Sequence, residues 1–346
     1  SARQGSRMAT FTASAIGVDF DLLDLGPLIA ATPFGTTPTS SGLSIGGVNS
    51  SLFGLDFTFS GGGPPVSGTI NRIVVNADVG QVYDIDGLSL SAATFRGWVV
   101  AGDNGSAKAG IFSGSDLFTG SNFDDRLRAY AGNDTMTGGG GNDVLDGGDG
   151  DDSVAAGVGN DTLVDPSGTN YLRGEDGDDF CVGGTGFDDI NGNMGNDTVS
   201  TGPGDDYCVG GKDSDLLFGE DGQDFVYGNL GDDTCDGGGG NDIVRGGQGN
   251  DTLTGGTGND FVSGDRGDDT MIGGEGADNF HSFSDAGIDR VLDFSVAQGD
   301  RVQLDPGTTF TVMQVGSDTV IMMSAGQVVL VGVSMSSLLS TSIFGA

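Results

Sequence analysis

Between Gly114 and His281 an apolar side chain returns at every ninth position, and the residues around it return with it. The series runs Leu127, Met136, Leu145, Val154, Leu163, Leu172, Cys181, Ile190, Val199, Cys208, Leu217, Val226, Cys235, Val244, Leu253, Val262, Met271 and Phe280. Two residues before these positions stands an aspartate: Asp125, Asp134, Asp143, Asp152, Asp161, Asp179, Asp188, Asp197, Asp206, Asp215, Asp224, Asp233, Asp242, Asp251, Asp260, Asp269 and Asp278, with Asp116 opening the series and Asn170 as its one exception. Glycine precedes the aspartate by two residues except at Phe123 and Asp213. The unit is therefore G-G-x-G-x-D-x-U-x with U apolar, and Gly255–Ser263 is a complete copy.

Each part of the unit predicts a local structure. Glycines at fixed places let the backbone enter regions closed to other residues, which describes a tight turn. In the x-U-x that follows, strand alternation sends U to one side and both x residues to the other. One unit is one turn and one short strand. Two units bring the chain back above its start, so the expected fold is all-β: a right-handed parallel β-roll of 18 residues per turn, with two sheets whose U residues meet in a thin core.

Stacking sets each aspartate about 4.8 Å from the one 18 residues later. Two bare carboxylates at that distance repel by roughly 3 kcal/mol at an effective dielectric near 20. A hard cation that takes six to eight oxygens relieves this, because carboxylates and turn carbonyls from successive turns can share it. Calcium fits, magnesium with its strict octahedral demand fits less well, and the turns offer neither thiolate nor imidazole for zinc. All the repeat aspartates from Asp116 to Asp278 are thus candidate metal ligands. The unit closely resembles the RTX, or hemolysin-type calcium-binding, repeat. The resemblance implies a secreted protein that folds as it binds Ca2+.

Composition then follows from the repeat. The chain has 346 residues, 68 of them glycine, and 50 acidic against 13 basic groups, for a net charge of -37. One ion between each stacked pair, leaving out the gaps that touch Asn170, gives about fifteen ions and about +30 of charge, which cancels most of the excess. The turn Asp165–Asn170 carries proline at the second glycine and asparagine at the aspartate, and Phe187 follows in the next turn of that edge. A weak or absent ion is expected there. All three cysteines fall at U positions and read as small core hydrophobes, too far apart for disulfides. So few basic groups exclude a nucleic-acid surface, no apolar run is long enough to span a bilayer, and no basic segment followed by an apolar one opens the chain as in a cleaved export signal.

Three domains are expected: residues 1–112, β-rich and without the period; residues 113–281, the calcium-binding β-roll; and residues 282–346, a β cap. In the first, residues 55–59, 70–75 and 82–90 alternate as strands, forming either a small sandwich or a β-helical lead-in that covers the first turn of the coil. In the last, residues 288–294, 299–305, 310–315, 319–323 and 327–333 resemble the closing cap of RTX coils, a region that carries an uncleaved signal for type I export in that family.

No catalytic constellation emerges. His281 is the single histidine and is read as a surface residue, and the pairs Asp19/Asp21 and Asp84/Asp86 as solvated strand faces. The outward x residues carry more information. On one sheet Tyr171, Tyr207, Phe225, Tyr227, Ile243 and Phe261 line up at 18-residue spacing as an apolar stripe with Val209, whereas the other sheet shows mainly threonine. Such a stripe marks either an interface or a face over which the N-terminal or C-terminal segment folds. The expected function is a structural or interaction protein without enzymatic activity, its partners further copies of itself or a cell-surface or matrix polysaccharide. The alternative is an RTX enzyme whose catalytic domain precedes residue 113.

Overall fold

The computed structural model describes residues 112–345, residue 109, and the backbone of five earlier strands, Thr10–Ala13, Leu43–Ile45, Phe53–Leu55, Thr69–Ala77 and Gly80–Ser91. Of the expected N-terminal strands, 70–75 and 82–90 fall inside observed ones, whereas 56–59 lies outside the described residues, as do Asp19 and Asp21. Asp84 and Asp86 are described by backbone alone. The chain divides into two compact units, Ser1–Asp165 and Pro166–Ala346, the division falling inside the aberrant repeat.

In the first unit, Leu117–Thr119, Thr135–Gly140 and Ser153–Val158 form one parallel stack, and Arg126–Arg128, Val144–Asp146 and Thr162–Val164 form another. Every register step is 18 residues, as the repeat requires. The exposed edge of the first stack is covered: Thr10–Ala13 pairs parallel with Leu117–Thr119 and antiparallel with Gly80–Ser91, which forms a hairpin with Thr69–Ala77. An unpaired edge strand is an open template for association, and this N-terminal strand removes it.

The second unit is built the same way. One sheet stacks Asn170–Asp176, Asp188–Met194, Tyr207–Lys212, Phe225–Leu230, Ile243–Gln248, Phe261–Arg266 and Asn279–Ser282 in parallel. The facing sheet stacks Phe180–Val182, Thr198–Ser200, Leu216–Phe218, Thr234–Gly239, Thr252–Thr257 and Thr270–Glu275. Beyond the repeats, Arg301–Leu304 and Ile343–Gly345 continue the first sheet. Ile288–Val291 and Gln327–Leu330 continue the second, which then turns antiparallel through Asp318–Met322 and Thr311–Val315.

Alternation decides what is buried. The U residues from Leu127 to Phe280 are all 2% exposed or less, and Cys181, Cys208 and Cys235 are free thiols among them. In the first unit Phe112 packs on Phe118 with ring centres 5.3 Å apart, and in the second Phe280 packs on Phe294 at 6.1 Å. The same pleat that buries U leaves the aspartate two residues earlier at the rim, where strand gives way to turn.

Candidate metal centre

Two of the glycines in each turn are demanded by backbone conformation. Gly256 and Gly258 have φ of +115° and +135°, and a Cβ on either would overlap the carbonyl of Gly238 or Gly240 in the turn beneath. Glu220 and Asn229 at the second position and Asp213 at the fourth adopt the left-handed conformation too, at a cost to any side chain. The first glycine is required for a different reason. A Cβ on Gly255 would lie 2.5 Å from Asp260 Oδ2 and 2.7 Å from the Gly273 carbonyl oxygen; on Gly219 it would lie 2.7 Å from Asp224 Oδ2 and 2.6 Å from the Gly237 carbonyl oxygen. Carboxylate and carbonyl oxygens therefore converge on the space left open by the missing side chain.

Along the rims the repeat aspartates are held by Oδ1, with Asp188 held by Oδ2 as well through the N–H of Gly184 at 3.0 Å. In the second unit the N–H of Asp206, Asp224, Asp242 and Asp260 donates to Oδ1 of the aspartate 18 residues on, at 2.9, 2.9, 2.9 and 3.0 Å. The opposite rim repeats this at 2.8 Å from Asp179 through Asp251. In the first unit Asp116 and Asp134 donate at 2.6 Å, Asp125 at 2.7 Å and Asp143 at 2.6 Å. All eighteen predicted aspartates are 3% exposed or less. Yet Oδ2 of Asp134, Asp143, Asp197, Asp215, Asp224, Asp233, Asp242, Asp251, Asp260 and Asp278 is buried without any hydrogen-bond partner. A buried carboxylate oxygen with no donor is costly.

The carboxyl groups register that cost. Burial, opposed by the main-chain hydrogen bond and reinforced by the next aspartate's charge, raises Asp215 to about 8, Asp134, Asp197, Asp224 and Asp251 to about 7, and Asp278 to about 6. A hard divalent cation meets both needs, supplying positive charge and accepting oxygen donors. Among the described residues no three His, Cys, Asp or Glu side chains converge as a ready-made metal site. A cation here would instead draw on rim carboxylates plus turn carbonyls, an all-oxygen set suited to calcium.

The family model for the RTX calcium-binding nonapeptide repeat matches residues 112–145, 131–163, 156–190, 173–208, 182–217, 209–244 and 245–280. Residues 112–280 are a run of RTX repeats. No curated protein matches the chain. Among solved structures, the extracellular lipase LipA from Serratia marcescens aligns with 67% of this chain and 40% of its own at 17% identity, with a TM-score of 0.25. A superposition that poor carries no argument about fold or activity.

Several features of the RTX region were not legible as motifs. The residue before each aspartate forms a second ladder running the other way: Asn250 N–H donates to Asp232 Oδ1 at 2.7 Å, and Asp268 N–H to Asn250 Oδ1 at 3.0 Å. The frequent Asn or Asp at that position was its signal. In the aberrant repeat, Asn170 keeps its place and donates its N–H to Asp188 Oδ1 at 3.1 Å. The fully buried Asp165 brings a carboxylate that the sequence reading did not count: it approaches the space beside Gly147 that Asp152 also faces. The aspartate ladders also outrun the repeats, into Asp289 and Asp300, which keep D-x-U but fall out of the nine-residue register.

The reading of His281 as a surface residue is corrected. Its side chain is only 16% exposed, because the strand Arg301–Leu304 adds beside it and brings Asp305 within 3.2 Å of Nε2, while Ser263 Oγ lies 3.1 Å from Nδ1. Serine, histidine and aspartate thus stand in line. The serine is fully buried and its hydroxyl donates to Asp265 at 2.8 Å, so it is not presented as a nucleophile.

The predicted stripe lies on one face of the second unit. Tyr207, Phe225, Ile243 and Phe261 occupy consecutive register positions, and Tyr227 stands one column over. Tyr171, Tyr207 and Ile243 are exposed by 46, 49 and 43%; Phe225, Tyr227 and Phe261 are half-buried against their neighbours. Tyr207 packs on Phe225 at 5.5 Å and on Phe187, absent from the predicted set, at 5.8 Å. The facing sheet is less polar than expected, since Phe180 and Leu216 are exposed there among the threonines.

Proposed function

We propose that this chain is a secreted calcium-binding structural protein whose RTX region folds as it takes up calcium, and whose aromatic face then joins it laterally to further copies at a cell surface or in an extracellular matrix. The observation that carries the reading is the row of buried Oδ2 atoms without donors, stacked in register along the rims. In a chain of net charge -37, such rows oppose folding until a cation joins them, so uptake and folding are coupled. Calcium supplies the charge and the bridging coordination. The chain supplies the carboxylates from Asp116 to Asp278, holds those in the interior of each stack by Oδ1, and brings turn carbonyls to the space beside the first glycine.

Coupling of this kind suits export, since a chain unfolded at low calcium can pass a channel and fold where calcium is plentiful. Among the described residues no helix is long and apolar enough to cross a membrane. The lateral contact is read from the exposed apolar column, a feature that marks association surfaces. Calcium titration followed by far-UV circular dichroism and light scattering tests both parts. Folding and ordered assembly are expected to appear with calcium and vanish with chelator. Replacing Tyr207, Phe225 and Phe261 together by serine is expected to abolish assembly with calcium-induced folding intact; assembly unchanged by the triple substitution would remove the interface from the proposal.

A further inference from the structure

The second sheet of the second unit ends on an open edge. Its last strand, Thr311–Val315, pairs antiparallel with Asp318–Met322, and among the described residues no strand pairs with its other side. Every second residue of such a strand turns its N–H and C=O away from the sheet, a template for one more strand. Lysine, proline or a bulge commonly blunts an edge of this kind. The segment Thr-Val-Met-Gln-Val has neither a charge nor a proline, and its five residues pair with Asp318–Met322 without a register shift.

Alternation puts Thr311, Met313 and Val315 on one face of this strand. Met313 and Val315 are 40 and 52% exposed there, and Met322, in register with Thr311, is 40% exposed. The strand is nonetheless held in place. Gln314, on the opposite face, donates its Nε2 to the Asp318 carbonyl at 2.9 Å and accepts the N–H of Met335 at 2.7 Å. An ordered edge loses little further freedom on binding. Charge then selects the partner. Residues 306–346 contain one charged side chain, Asp318, in a chain of net charge -37. Its carboxylate already accepts the N–H of Gly332 at 2.8 Å and the hydroxyl of Ser317 at 2.9 Å. Two copies meeting along the rims would oppose rows of carboxylates, whereas two meeting at this edge would not.

We propose that Thr311–Val315 is a docking edge for the same strand of a second copy of this chain, the two strands pairing antiparallel about a twofold axis. Full overlap of a five-residue strand with itself sets Met313 opposite Met313 and Thr311 opposite Val315. The contact is then self-complementary and closes as a dimer. Outward main-chain groups of each strand find partners in the other, and the exposed side chains beside them join across the axis. This edge belongs to the sheet that faces the aromatic stripe's own sheet, so the pairing is independent of lateral association and joins chains two by two.

The test uses the full chain in saturating calcium. Met313→Cys is expected to form a disulfide-linked dimer on mild oxidation about tenfold faster than Leu339→Cys, a more exposed position of the same cap, because pairing raises the effective concentration of the thiol at the axis. Equal rates for the two variants would overturn the proposal, whatever the aromatic face does. Sedimentation gives a second reading on a chain carrying Tyr207→Ser, Phe225→Ser and Phe261→Ser. A dimer that dissociates on dilution is expected, and adding Met313→Glu, which sets two carboxylates face to face, should leave a monomer with unchanged far-UV circular dichroism. A dimer that survives Met313→Glu, or a monomer at every concentration before it, would equally overturn the pairing. If Met313→Glu does not fold, the cysteine variants still decide.

Discussion

At the scale of single residues, the three glycines of a unit differ in kind. Gly258 is held by its φ of +135° and by the carbonyl below it, so Gly258→Ala is expected to destabilise the calcium-loaded protein by about 1–2 kcal/mol or more, the cost of a left-handed residue. Gly255 has no such φ, and its Cβ would instead intrude on Asp260 Oδ2. Gly255→Ala should therefore weaken calcium binding more than it lowers the stability of the calcium-saturated protein. Calcium titrations of folding and denaturant midpoints in saturating calcium separate the two effects: Gly255→Ala should chiefly raise the calcium needed for half-folding and Gly258→Ala chiefly lower the midpoint at saturation, and equal effects of both variants on both measurements would refute the distinction. Asp224→Asn, at a rim position whose Oδ2 lacks a donor, is expected to lower the ion count and leave far-UV circular dichroism in saturating calcium almost unchanged. The same logic reads Thr201, which replaces a first glycine: its hydroxyl donates to the Gly219 carbonyl at 3.0 Å, filling space that a glycine leaves open.

At the scale of the turn-and-strand element, two ladders of opposite direction lock each turn to its neighbours. Asp242 N–H binds the side chain 18 residues ahead, whereas Asn259 N–H binds Asn241 Oδ1, 18 residues behind, at 2.8 Å. The sign of the pH dependence follows from the raised carboxyls. Burial lifts Asp215 to about 8, Asp251 to about 7 and Asp260 to about 6, above the ordinary value near 3.9. Their contribution to stability is fully present below that ordinary value and is lost as pH rises through 6 to 8. In chelator, where protons alone can relieve the rims, any far-UV β signal is thus expected to be greatest near pH 5 and to be lost by pH 8. With calcium the slope reverses, since protons and calcium compete for the same oxygens and the apparent affinity should rise over that window. Far-UV circular dichroism across pH in chelator and calcium titrations across the same window check both signs, and a β signal in chelator that climbs with pH would contradict the rim description.

At the scale of the whole molecule, net charge sets the behaviour. With 50 acidic and 13 basic groups, self-repulsion opposes compaction, and the core is a single file of U residues between two sheets. Addition of calcium to chelated protein is expected to produce a cooperative rise in β signal, while magnesium at the same concentration leaves most of it undeveloped, because magnesium demands octahedral geometry and gives up water reluctantly. Equal folding by the two ions would show that charge neutralisation suffices and that the carbonyls beside the first glycine contribute little. Salt strength affects the two cases differently: screening should assist the chelated chain more than the loaded one.

The nine-residue period by itself determined the fold class of the repeats, the burial of every U residue and the rim position of the aspartates. In a stack where each residue meets its counterpart 18 positions away, local order and long-range contact are the same information. Where the period stops, that identity fails. The sequence placed His281 on the surface, but Arg301–Leu304 and Asp305 reach it from another segment and cover it. Likewise, nothing in the spacing tells that Asp300 takes a hydrogen bond from the main-chain N–H of Ser295 at 2.7 Å whereas Asp289 takes one from the Ser282 hydroxyl at 2.7 Å. Only the tertiary structure decided which donor reaches each carboxylate, because loops of unequal length bring a main-chain N–H to one and a side-chain hydroxyl to the other.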